Sequence, residues 1–286
     1  MNTVIKIIVT IILSSLCTMA NAQHSSNLWK IEGNGIKTSY LFGTMHLIPQ
    51  KDFELKDKVK TAFEASEQLV LELNMASPDF MKDIMAYSYL EKGTELKSYM
   101  DDSEYELLDA YLKEKTGAGM QMYNTVKPFM LMSVILMASF DGPTASFEMS
   151  LMTMAKKAHL EIQGLETYES QVAIFEHTSY EKQIDDLVEI IQNPEKNTEI
   201  FNKMAQLYIT EDIEALYDYM DVYMKNDVAL MAKFLDDRNN NWIPEIAKLS
   251  KDVPTFYGVG AAHLGGNQGV INLLKEAGYT VTPMMD

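Results

Sequence analysis

Short apolar runs of strand character lie at both ends of this chain, and a long helical stretch separates them. That arrangement limits the possible folds more than any other feature. Residues 28–32 and 36–42 flank Gly33-Asn34-Gly35. Asn-Gly between two strand-like runs predicts a hairpin, because both turn residues tolerate positive φ. A helix is expected over residues 58–66, then a buried strand over 68–73 that contains Glu72. From 77 to about 160 the spacing is helical, with Ser103 and Glu106 as a capping box and a helix over 147–157. A strand over 160–165 ends at Glu166. Helices are expected over 181–192, 211–224 and 228–235. A strand over 254–259, a turn over 260–263, a helix over 268–277 and a strand over 279–283 complete the pattern. Strands alternating with helices predict an α/β fold, a mixed central sheet flanked by helices, with a large helical insertion. No low-complexity linker interrupts residues 23–286, so one domain is expected.

The first 22 residues read as a secretory signal peptide. Lys6 supplies the positive region, residues 7–19 the apolar region, and Ala20-Asn21-Ala22 a cleavage site. Cys17, the sole cysteine, invites a lipoprotein reading, but Leu16 stands where a small residue belongs. Export to a periplasmic or extracellular location follows. A second apolar stretch, 128–140, is short for a membrane span and reads as a buried helix, so no transmembrane segment is expected in the mature chain. Acid outweighs base, 41 Asp+Glu against 24 Lys+Arg. That balance excludes non-specific nucleic-acid binding, which needs basic patches to displace counterions. Arg238 is the only arginine among those basic residues.

Two Gly-x-x-His tetrads, Gly43 to His46 and Gly260 to His263, each follow a predicted strand. In α/β folds ligands bind beyond the carboxyl ends of strands. Glycine there permits a tight turn, and the imidazole becomes available as metal ligand or acid–base. Glu72 and Glu166 fall in or at the ends of two further predicted strands. A buried carboxylate is costly unless paired or metal-bound. Arg238 offers a planar fork of donors for an anion or a transition state. His159 and His177 lack this strand context and read as structural, and His24 lies near the mature start.

Leu41-Phe42-Gly43-Thr44-Met45-His46, Val70-Leu71-Glu72-Leu73, Gly164-Leu165-Glu166-Thr167, Arg238-Asn239 and Val259-Gly260-Ala261-Ala262-His263 resemble, in order, the motifs of the TraB/GumN family, to which the Tiki metalloproteases belong. Gly278-Tyr279-Thr280-Val281 is similar to its last strand. Glu148 departs from the aspartate expected in many members but keeps the charge. The resemblance implies an erythromycin-esterase/ChaN-like fold and a site built on the two histidines and nearby glutamates. For the Tiki branch it implies metal-dependent proteolysis. The leading expectation is therefore an exported metal-dependent hydrolase, a peptidase using a metal-activated water. His46 and His263 would bind manganese, cobalt or zinc together with one of Glu72 and Glu166. The other glutamate would act as base, and Arg238 would stabilise the oxyanion. Two alternatives stand beside it: a non-catalytic peptide- or haem-binding protein, and a metal-free hydrolase with a histidine base. In the hydrolase readings the partner is a peptide or small-molecule substrate.

Overall fold

A computed structural model describes residues 25–140, 142–224 and 228–286. The expected signal segment, with Lys6 and Cys17, and His24 lie outside the described residues. The strands are β1 (Leu28–Glu32), β2 (Ser39–Thr44), β3 (Ile48–Pro49), β4 (Gln68–Leu71), β5 (Thr144–Ala145), β6 (Glu161–Gly164), β7 (Thr255–Gly260) and β8 (Thr280–Pro283). The α-helices are α1 (Asp57–Glu64), α2 (Phe80–Tyr87), α3 (Asp102–Thr116), α4 (Pro128–Ala138), α5 (Phe147–Ala158), α6 (Tyr168–Ala173), α7 (Tyr180–Gln192), α8 (Pro194–Ile209), α9 (Ile213–Tyr223), α10 (Val228–Met231), α11 (Asp237–Leu249) and α12 (Val270–Glu276). A π-helical turn, Ala232–Asp236, joins α10 to α11.

Six strands form one sheet in the order β6-β4-β7-β2-β1-β8, and β3 pairs with β5 in a small ribbon. The four strands β6, β4, β7 and β2 are mutually parallel, whereas β1 is antiparallel to both its neighbours. The sheet is therefore mixed and the fold is α/β, as the alternation predicts. Side chains of successive strand residues point to opposite faces. Leu69, Leu71, Phe42 and Phe256 pack on one face with Phe63, Phe147 and Leu151. Val70, Leu41, Tyr257 and Val259 pack on the other with Trp242, Ile246, Val270 and Leu274. Covered on both sides, β4 and β7 have no need of polar alternation. The helical middle builds its own core from Leu96, Leu108, Leu112, Leu131, Ile135, Ile184 and Leu187.

The Gly33-Asn34-Gly35 turn has positive φ at all three residues, 97°, 50° and 77°. Several local expectations shift. Asp101 with Glu104, not Ser103 with Glu106, forms the capping box of α3. α8 fills a stretch for which no helix was expected. Glu211 is not helical but sits at φ 57°, between α8 and α9. The apolar helix α4 buries only Pro128, Leu131 and Ile135 and leaves Met137 56% exposed. Among the described residues no helix is long and apolar enough to cross a membrane.

Glu211 joins the two ends of the described chain. Its carboxylate accepts from Lys58 at 2.7 Å and Lys56 at 2.8 Å, and from the Asn27 backbone N–H at 3.2 Å. Lys56 also reaches Asp286 at 2.9 Å. Burial works against its ionisation, but the two lysine hydrogen bonds outweigh that and hold its pKa below the usual carboxylate range. A depressed folded pKa stabilises the protein above the ordinary glutamate value, and that stabilisation is lost as pH falls through the depressed one. Glu211→Gln is expected to cost about 2 kcal/mol at pH 7. The difference from wild type should shrink below about pH 4, read by urea denaturation across pH. A constant difference down to pH 3 would show that charge is not the cause.

Candidate active site

The four parallel strands end at one edge of the sheet, β2 level with β7, and β4 and β6 level with each other. Leu71 pairs with Gly258 and Gly164, and Thr44 pairs with Gly260. Side chains just past these ends must therefore meet at one edge of the sheet. His46 follows β2, Glu72 follows β4, Glu166 follows β6 and His263 follows β7. Arg238 arrives from the first turn of α11. Glu72 thus lies just beyond its strand rather than inside it.

Arg238 is the hub. Its Nε donates to both Glu166 oxygens at 3.2 Å, and its NH2 donates to Glu166 Oε1 and to Glu72 Oε2. Its NH1 donates to the Phe234 carbonyl at 2.9 Å and to His263 Nε2 at 3.0 Å. All five guanidinium hydrogens are thereby engaged. Gln171 Nε2 donates to Glu166 Oε1 at 3.0 Å and to Glu72 Oε2 at 3.3 Å. Trp242 backs the group, with Arg238 Cζ 5.0 Å above its ring and the His263 ring centroid 4.5 Å away.

Each histidine has one nitrogen fixed. His46 Nδ1 donates to Glu148 Oε1 at 2.8 Å, and Thr44 Oγ1 and Ser146 Oγ also donate to that carboxylate. His263 Nδ1 donates to Asn239 Oδ1 at 2.6 Å. The amide orientation follows from Asn239 Nδ2, which donates to the Gln268 carbonyl at 2.9 Å. Both rings are thereby held with Nε2 turned toward the sheet edge, where His263 Nε2 accepts from Arg238. Gly260 marks where they converge: a Cβ there would lie 3.3 Å from Glu72 Oε1, 3.5 Å from His263 Cδ2 and 3.9 Å from His46 Nε2. The Gly260 N–H also donates to Glu72 Oε1 at 2.7 Å. Gly43 is tight for a different reason, since a Cβ there would meet the Ala261 Cα at 3.1 Å. Neither glycine has positive φ. The expected tight turn is not why they are there; close approach is.

Glu72 and Glu166 face one guanidinium in this cluster, and Glu148 faces His46. Burial opposes ionisation of Glu72, but the neighbouring positive groups and the Gly260 N–H outweigh it, and its pKa falls to about 2. Burial pulls His263 down to about 3. A neutral His263 agrees with its Nε2 accepting from Arg238. Protein packed around the His46 ring lowers its pKa, yet the Glu148 hydrogen bond and charge, then the Glu72 charge, prevail and raise it to about 9. The His46 side chain is nonetheless 67% accessible, so the hydrogen bond decides the direction.

All five residues singled out in the sequence thus stand at one sheet edge. His159 caps α5 at φ 57° and His177 ends a 3₁₀ turn, away from it. Sequence reasoning did not assign the roles of Glu148 and Asn239, which orient the two histidines, or of Gln171 and Trp242. Asn239 follows the arginine directly. Glu148, two residues past the Ser146 cap, carries the signal of an ordinary helix start.

The residues can be tested for metal fit. Among the described residues no three His, Cys, Asp or Glu side chains are drawn close enough to hold an ion. The donor types do fit a divalent cation. Two imidazoles with anchored Nδ1–H and one ionised carboxylate are suitable ligands, and the site has excess negative charge. The obstacle is the Arg238 NH1 hydrogen on His263 Nε2, which a cation would have to replace.

In α/β sheets ligands bind at the carboxyl edge of the strands, and here that edge gathers histidines and carboxylates. The TraB/PrgY/gumN family model matches residues 27–283, and the chain belongs to that family. A protein from Amphimedon queenslandica called a metalloprotease TIKI homolog is 22% identical over 91% of this chain, which spans 62% of that protein's length. No solved structure matches.

Proposed function

We propose that this protein is an exported hydrolase that cleaves peptides with the help of a divalent cation, manganese, cobalt or zinc. One observation carries the reading. His46 Nε2, the His263 ring and Glu72 Oε1 meet beside Gly260, His263 Nε2 lies 3.9 Å from that oxygen, and each ring's Nδ1 is already hydrogen-bonded. The similarity to a metalloprotease TIKI homolog supports the same chemistry. His46, His263 and Glu72 would hold the cation. When bound, it supplies a Lewis acid that polarises a carbonyl and brings a water's pKa toward neutrality.

The chain's own residues do the rest. Glu148 and Asn239 keep the Nε2 atoms turned inward, as metal-bound histidines require. Glu166 Oε2 has, among the described residues, one hydrogen bond, from Arg238 Nε at 3.2 Å, and would use a remaining lone pair to accept a proton from water. The Arg238 N–H released from His263 Nε2 faces the site, where it stabilises a developing oxyanion.

A peptide-cleavage assay tests this. Protein treated with EDTA should lose activity, and Mn²⁺, Co²⁺ or Zn²⁺ should restore it with one equivalent bound. No cleavage under any of these conditions would overturn the hydrolase reading.

A second reading has its own observation. His46 and Glu148 form a base–orienter pair at 2.8 Å, and Arg238 already occupies His263 Nε2. In a metal-free hydrolase of the erythromycin-esterase kind, His46 would then be the base once deprotonated, so activity should rise as pH climbs toward about 9. Full activity in EDTA with no bound metal would select it.

A further inference from the structure

A cleft of about 580 Å³ lies beside the His46 end of the site, between the outer face of α5 and the β3–β5 ribbon. Leu47, Phe53, Leu55, Met149 and Met154 form much of its lining. None of its described lining residues is charged, on a chain with formal net charge −17. Hydroxyls and one amide, from Thr144, Ser146, Ser150, Thr153 and Gln50, complete the wall.

The cleft adjoins the histidine–carboxylate cluster through two residues. Leu47 follows His46 directly in the chain. Ser146 lines the cleft and donates at 2.8 Å to Glu148 Oε2, while the other oxygen of that carboxylate receives His46 Nδ1–H. Ser146 is therefore a shared wall. With its hydrogen already given to Glu148, it adds little polarity to the cleft. Thr153 Oγ1 likewise donates back to the Met149 carbonyl at 2.8 Å. The space thus has an apolar lining, is partly open, and is the size of a ligand side-chain pocket. β5 runs along the wall, with Thr144 and Ala145 both in its lining.

We propose that this cleft is the specificity pocket of the peptidase site, receiving an uncharged, apolar side chain of the substrate next to the bond presented at His46. The proposal rests on the peptidase reading above. Its selectivity comes from the missing charges: a carboxylate or ammonium entering the cleft would lose water and find no counter-ion. An aliphatic side chain loses only its contact with water, which favours entry. The flexible thioethers of Met149 and Met154 adapt to side chains of several shapes.

Two measurements separate this proposal from the reading it rests on. The first is ligand-observed NMR with N-acetyl-norleucine amide and N-acetyl-aspartate amide. Norleucine should bind roughly tenfold more tightly or better. Ser150→Trp, which fills the cleft from α5, should remove that preference. Thr153→Lys at the exposed rim should weaken norleucine binding and improve aspartate binding, and it guards against a misfolded tryptophan variant. The second is cleavage of a peptide series varied at one position. Wild type should favour leucine, methionine and norleucine over aspartate, and both variants should flatten or shift that order. If wild type binds norleucine selectively and both variants abolish this, yet nothing is cleaved, the pocket stands and the hydrolase reading falls. If cleavage occurs with the same preferences in both folded variants, the pocket proposal falls and hydrolysis stands. Equal binding of the two amides by wild type also overturns the proposal.

Discussion

Arg238→Met should lower the unfolding free energy at pH 7 by about 3–5 kcal/mol. Glu72 and Glu166 are nearly buried, with side chains 8% and 10% accessible, and both are paired with this guanidinium. Without it two carboxylates would face one another in a poorly hydrated space. At least one pKa should then rise above its unfolded value. A raised folded pKa leaves stability intact below the unfolded value and removes it as pH rises through the raised one. The wild-type dependence has the opposite sign, because Glu72 is depressed to about 2 and its stabilisation is lost as pH falls toward that value. The two stability curves should therefore converge on acidification. Urea denaturation at pH 7 and pH 4 measures this. A cost below about 1 kcal/mol at pH 7, the range of an exposed ion pair, would mean that Arg238 is not the hub. Lysine should recover only part of the loss, since one ammonium cannot span two carboxylates, a carbonyl and an imidazole.

His263→Ala is expected to reduce peptide cleavage by roughly 10²–10⁴-fold. Asn239→Ala should cost roughly 10–100-fold in activity or cation affinity. The ranking follows from geometry. His263 presents its own Nε2 to the site, whereas Asn239 acts through it at 2.6 Å by fixing which ring nitrogen carries the proton. Asn239→Asp restores an acceptor and should recover much of the asparagine loss, a rescue that a packing role would not give. His46→Ala should resemble His263→Ala under the cation-dependent mechanism. Steady-state kinetics on one peptide, with melting temperature as the folding control, decides the order. If Asn239→Ala proved as damaging as His263→Ala while remaining folded, the orienting role would be wrong.

Much of the site was legible because its residues follow strands. A glycine or glutamate after an apolar run in an α/β pattern is carried to the same sheet edge, whatever the intervening helices do. That placed His46, Glu72, Glu166 and His263 together without coordinates. What sequence could not supply was who faces whom. Arg238 contacts Glu72 across 166 residues and His263 across 25, pairings that only the packing of α11 against the sheet creates. Glu148 resembles any acidic residue in a first helical turn. Its bond to His46 depends on how α5 docks on β2. The glycines were legible as important but not for the right cause, since close approach leaves no trace in local sequence. α8 escaped notice because its apolar positions are interrupted by charges, and Glu211 reads as helical until its positive φ is seen.

The order of the sheet has a consequence for how the protein comes to life. β2 and β4 never touch, because β7 lies between them. The Gly260 N–H that meets Glu72 comes from 188 residues further along the chain. Contacts of such long sequence separation pay a large loop-closure entropy and form slowly. Half of the histidine pair, and the glycine at its centre, arrive only with that late strand. A nascent or partly folded chain therefore carries the residues of this cluster with no means of combining them, and only assembly of the sheet brings them together.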